Sequence, residues 1–153
     1  MERRLAVKRL LLLLTAALLL VPAARIRAAE QVMVLIVSAD CPVTHLDVID
    51  VRKLYLGLSV IRDDLPLRAL ENRSDDRLHE AFLQNVIAMP AGAYEKRLLL
   101  MMLQQGAHRP RLFTRTAELL AAVAADPSAV SVAWAKDVAQ DRRIKVLRVL
   151  WRD

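Results

Sequence analysis

The sequence predicts an α/β domain in which a mixed sheet of about five strands is flanked by helices. Three observations lead there. Val32 to Val37 is an unbroken run rich in β-branched residues, the pattern of a strand covered on both faces. Short apolar runs then alternate with helical patterns carrying their own start and stop residues. Glycine is scarce, three residues in 153, and no low-complexity tract or internal repeat interrupts the pattern, which argues against disorder and against a solenoid.

After the first strand, Asp47 is placed to cap a helix, with Asp50 three residues on in the capping-box position and Val48, Val51, Leu54 and Tyr55 along one face. Gly57 supplies a left-handed stop. Leu65 to Leu70 predicts a second strand, and a strand, a helix and a strand in this order imply a right-handed crossover. Ser74 is the expected cap of a helix running through Ile87, its apolar side formed by Leu78, Phe82 and Val86 or Ile87. Pro90 to Gln105 predicts a further helix ended by Gly106. Its residues Leu98 to Leu103 are all apolar and surround the whole helix, so it is either buried on several sides or offers a face to another molecule. Leu112 and Phe113 read as a brief extended segment. Thr116 is the expected cap of a helix to Ala125, stopped by Asp126-Pro127. Val130 to Trp134 is the next strand, Ala135 to Val138 a short helix, and Ile144 to Trp151 the closing strand.

Residues 1–29 stand apart. Arg3, Arg4, Lys8 and Arg9 precede an apolar stretch from Leu10 to Val21 and then Pro22-Ala23-Ala24, the layout of a cleaved secretory signal peptide. The apolar core falls short of the ~20 residues a membrane span needs. Arg3-Arg4 resembles a twin-arginine signal, but Ala6 stands where that signal has a bulky apolar residue, which favours the general route. The expected mature domain is 30–153, placed in the periplasm. The leader holds six of the 23 basic residues and one of the 17 acidic ones, so the remainder carries 17 basic and 16 acidic groups. The strong field that gathers nucleic acid is therefore missing, and nucleic acid is not an expected partner. With Cys41 the only cysteine, no disulfide can form within the chain.

Enzyme signatures are absent. His45, His79 and His108 lack metal-ligand spacing, and no HExxH, GxSxG or P-loop occurs. Cys41 and His45, four residues apart across a proline-containing turn and with no third group to orient the imidazole, are weak evidence for a nucleophile and base. No catalytic residue, metal or cofactor is expected. The one position with a physical case for a ligand is Arg73-Ser74 at a helix start, where free amides, the positive dipole end and a planar bidentate donor suit a tetrahedral oxyanion.

Several islands fall in a telling order: Cys41-Pro42-Val43-Thr44 with Leu46, Leu54 to Gly57, Leu67 to Leu70, Arg73-Ser74-Asp75 running on through Arg77 to Phe82, and Ala125 to Trp134. Together they resemble the second lobe of periplasmic phosphate-binding proteins of ABC importers, and especially short single-lobe relatives. The resemblance covers nearly everything after about residue 31. It implies a periplasmic-binding-protein-like lobe, a solute-binding role and a phosphate or other oxyanion ligand. In that family the anion turn reads R-[AS]-D-G-S-G-T, whose arginine, serine, glycine and threonine hold the anion. Arg73, Ser74 and Asp75 match its first three positions, whereas Asp76, Arg77, Leu78 and His79 replace the glycines and hydroxyls. Ser128 and Ser131 likewise stand where the family has glycines. The candidate ligand-binding residues are thus Arg73, Ser74 and Arg77, in a degenerate site expected to bind weakly. The alternative is a periplasmic adaptor that has lost its ligand and serves a membrane transporter, a sensor or an envelope complex; a second copy of the chain, giving a homodimer, is the further candidate partner.

Overall fold

The computed structural model describes residues 30–153. The expected signal peptide lies outside the described residues, among which no helix is long and apolar enough to cross a membrane.

The strand β1, Val32–Ser38, is the centre of the fold because each of its faces is apolar. Met33, Leu35 and Val37 enter one core; Val34 and Ile36 enter another. The first core is roofed by α1 (Val48–Tyr55), α2 (Asp76–Phe82) with the π-helical turn Leu83–Ile87 that prolongs it, and α3 (Ala91–Gln105). The second is closed by α4 (Thr116–Ala125) and α5 (Ala135–Val138). The remaining strands are β2 (Val60–Arg62), β3 (Leu65–Asn72), β4 (Arg111–Phe113), β5 (Ala129–Trp134) and β6 (Ile144–Arg152). Their order is β2-β3-β5-β1-β6, and β4 joins the outer side of β3 beyond β2. The predicted α/β layering with a mixed sheet is what the chain adopts.

Strand direction departs from expectation. β1 pairs with both β5 and β6 antiparallel, and β3 runs parallel to β5. The predicted parallel crossover from β1 to β3 is therefore absent, since β5 lies between them and points the opposite way from β1. A run of buried β-branched residues reports coverage on two faces and says nothing of direction. The parallel crossovers occur later, from β3 to β4 and from β4 to β5, each across intervening helix.

Three caps differ from the sequence reading. Asp47 occupies the N-cap of α1 but makes no capping hydrogen bond; its carboxylate is held by His45 Nε2 at 2.9 Å. Asp75, not Ser74, caps α2, and Arg115, not Thr116, precedes α4. The second strand extends to Asn72, and a hairpin partner, β2, precedes it. Asp63 and Asp64 both have positive φ, 49° and 59°, giving the two-residue turn that matches strand twist. In α3 the apolar girth resolves into a buried stripe of Tyr94, Leu98 and Met101, while Leu99 and Leu103 remain 53% and 75% exposed.

Candidate functional site

The predicted anion turn lies at the end of β3, where the strand gives way to α2. Asn72 builds it. Its Nδ2 donates to Val132 O at 2.9 Å, anchoring the side chain to β5, and its Oδ1 accepts from Ser74 N at 3.0 Å and Ser74 Oγ at 2.6 Å. Ser74 Oγ in turn accepts from Thr116 Oγ1 at 2.9 Å. The single hydroxyl hydrogen of Ser74 is therefore committed to Asn72.

Asp75 sits at the head of α2. Its Oδ1 accepts from Leu78 N at 2.9 Å and its Oδ2 from Trp134 Nε1 at 3.1 Å. Partial burial works to raise its pKa, but the amide of Leu78 and the indole of Trp134 outweigh it and hold the carboxyl below its usual range. A carboxylate thus already occupies the helix start.

Arg73 turns toward the protein. Its backbone N donates to Phe113 O at 2.8 Å, and its Nη1 lies 2.9 Å from His79 Nε2 and 3.5 Å from Glu71 Oε1. A guanidinium can only donate, so His79 Nε2 accepts and the neutral ring carries its proton on Nδ1. That Nδ1 and Glu71 Oε2 are buried without hydrogen-bond partners among the described residues. Burial pushes the Glu71 carboxyl up, and Arg73 only partly offsets it. Burial, reinforced by Arg73, pushes His79 down.

The signs of these shifts oppose one another. Glu71 binds its proton more tightly folded than unfolded, so its contribution is full below the ordinary glutamate value and is lost as pH rises through the folded value. His79 does the reverse: its contribution is present above 6.5 and is lost as pH falls through the folded value. Urea unfolding of Glu71→Gln against wild type should show the variant gaining relative stability as pH rises from 4 to 8. A constant difference across that range would mean that the pairing with Arg73 cancels the burial of Glu71.

Of the predicted site residues, Arg73 and Ser74 are adjacent and tied into the internal network. Arg77 is not brought to them: its Nη2 bonds Asp153 Oδ2 at 3.0 Å on the surface. Ser131 is fully buried and donates to Leu70 O at 2.8 Å, while Ser128 N and Oγ bond Asp126 Oδ1. Glu71, Asn72, Thr116 and Trp134 were not singled out for this site from sequence. The Asn72-x-Ser74 spacing is the one local signal for the turn. Among the described residues, no three His, Cys, Asp or Glu side chains gather as metal ligands. Cys41 is buried, while His45 is exposed and bonded to Asp47.

No protein-family model and no curated protein matches the chain by sequence. Solved structures do match by shape. A protein from Planctomyces limnophilus described as a possible phosphate binding protein has TM-score 0.55 at 11% identity, over 78% of this chain and 41% of its own. A phosphate-bound protein from Clostridium perfringens, assigned as a phosphate ABC transporter substrate-binding protein, has TM-score 0.55 at 12% identity, over 78% and 45%. PstS from Borrelia burgdorferi has TM-score 0.53 at 11% identity, over 77% and 47%. The chain spans less than half the length of these structures. Its described residues have the fold of one periplasmic-binding-protein lobe.

Proposed function

We propose that this chain is a periplasmic solute-binding-type protein related to phosphate ABC transporter substrate-binding proteins, and that the oxyanion site of the lobe described here is closed from within. One observation carries the reading: the carboxylate of Asp75 takes the Leu78 amide and the Trp134 indole at the helix start, where an incoming anion would need donors. The neighbouring donors are also engaged, Ser74 by Asn72 and Arg73 by His79 and Glu71. An oxyanion approaching this turn meets a fixed negative charge with little left to bond. The site is accordingly no receptor for phosphate, and any binding is weak.

Thermal unfolding in phosphate, with ionic strength matched by chloride, tests this. A ligand at 100 times its Kd stabilises by about 2.7 kcal/mol, which moves the melting point of a domain near 100 residues by very roughly 10 °C. Millimolar phosphate should shift this protein far less, with Arg73→Ala removing what shift there is. A large shift at micromolar phosphate, abolished by Arg73→Ala, would mean a working receptor.

A second reading, an adaptor for a membrane transporter, sensor or envelope complex, is favoured by a different feature. Leu99 and Leu103 stand exposed on the outer side of α3. Side chains of that size on one helix face suit a protein partner better than solvent.

A further inference from the structure

The sheet ends differently at its two edges. Beyond β3 the edge is broken into β2 and β4, three residues each, too short to template another strand. At the opposite end β6 runs for nine residues and, among the described residues, pairs only with β1. No described strand covers its second side, a row of N–H and C=O groups available to another strand.

The side chains of β6 are arranged for such a partner. Leu147 and Leu150 are extra residues in the ladder to β1, and both are partly buried against the first core. These two bulges convert the ordinary alternation into a three-residue one in which Val146, Val149 and Arg152 are the exposed positions. Val146 and Val149, 46% and 40% exposed, lie opposite Ile36 and Val34, on the face that carries α4 and α5. The cations that would guard the edge are drawn inward. Lys145 Nζ donates to Cys41 O, and Arg148 Nη1 donates to Leu46 O at 3.1 Å.

We propose that β6 pairs antiparallel with β6 of a second copy of this chain across a two-fold axis, with Val146 of one copy opposite Val149 of the other. Opposed residues in an antiparallel pair share a face, and from Lys145 to Leu150 this register respects that rule. The four valines join into one apolar strip on the α4 side. On the other face Lys145 meets Leu150 and Leu147 meets Arg148, so no two cations oppose between Lys145 and Leu150; beyond them Arg152 falls opposite Arg143, each already paired with a carboxylate of its own copy, Glu30 and Asp141. Neighbouring registers fail. A slip of one residue one way sets Arg148 against Arg148; a slip the other way sets Val146 against Arg148 and Val149 against Lys145. The contact is self-complementary, as a two-fold interface must be, and it joins two sheets into one.

Two measurements on the purified protein test this. Sedimentation equilibrium should find a dimer in wild type and in Leu99→Glu/Leu103→Glu, and a monomer with unchanged circular dichroism in Val146→Lys/Val149→Lys. The second is Val146→Cys/Val149→Cys under mild oxidation. Opposed residues in an antiparallel pair have Cα atoms ~4.5–5.5 Å apart, within disulfide reach, so this variant should give a reducible covalent dimer. Wild type, whose Cys41 is 3% exposed, should not. The proposal is overturned by a monomeric wild type at 100 μM or above, by dissociation of the α3 variant alone, by a lysine variant that stays dimeric, or by cysteines that do not cross-link.

Discussion

Trp134→Ala is expected to cost about 3–5 kcal/mol of stability, the usual range for deleting a large buried aromatic side chain. The indole is 2% exposed and lies tilted against Trp151 with ring centroids 6.2 Å apart. The same side chain donates from Nε1 to Asp75, so it also fixes the carboxylate that fills the start of α2. Trp134→Phe separates the two roles. Phenylalanine keeps most of the packing and removes the N–H, so its cost should fall to about 1.5–3 kcal/mol, the worth of a hydrogen bond to a charged group. With one donor fewer, the Asp75 carboxyl should titrate closer to the ordinary range. Asp75 contributes stability above its unfolded pKa and loses it as pH falls through the depressed folded value. Trp134→Phe should therefore show a smaller loss on acidification than wild type. Equal acid slopes in the two proteins would mean that the backbone amides at the helix start, with Lys136, set the Asp75 pKa without the indole.

That pair also explains why the site was only half legible in the sequence. Local signals were read well. The β-branched run gave β1, Gly57 and Gly106 gave helix ends with φ of 76° and 64°, and Asp126-Pro127 gave the end of α4. Signals that depend on distant partners were not. Asp75 and Trp134 lie 59 residues apart, and Asn72 bonds Val132 O across 60. Nothing within a window of ten residues separates Ser74 from Asp75 as a cap. The choice falls to Asp75 because Asn72, anchored to β5, has already taken the serine hydroxyl. Strand direction failed for the same reason, because β1 pairs with β5 across nearly the whole length of the described residues. The exposed valines of β6 were hidden differently. Two bulges replace the period of two on which strand reading depends, so Ile144 to Trp151 reads as a run of mixed burial rather than as an apolar edge.

Gly57→Ala should destabilise the protein more than its place in a surface connection suggests. Gly57 has φ +76°, which for a residue with a Cβ costs roughly 1–2 kcal/mol. A Cβ built there would also lie 2.4 Å from His108 O and 2.9 Å from His108 N. These are backbone atoms of the crossing segment that leads into β4, and His108 N donates to Gly57 O at 3.3 Å. No rotamer change relieves the clash; the crossing must open. The segment from His108 to Arg111 also walls a cleft of about 680 Å³ floored by β3 and α4, and it leads to Phe113, whose carbonyl receives the Arg73 amide. Displacing it should loosen β4 from β3 and reach the Arg73 turn. Gly106→Ala is the matched control. Gly106 is also left-handed, at φ +64°, but no described atom lies within 4 Å of its missing Cβ, so only the same conformational cost of roughly 1–2 kcal/mol applies. Gly57→Ala should cost about 3 kcal/mol or more, the conformational cost plus that of forcing backbone apart in a packed crossing. Amide exchange should quicken at Phe113 and Arg73 in Gly57→Ala and not in Gly106→Ala. Equal losses in the two variants would show that His108 does not press on Gly57, and that the approach to the Arg73 turn is held by β4 alone.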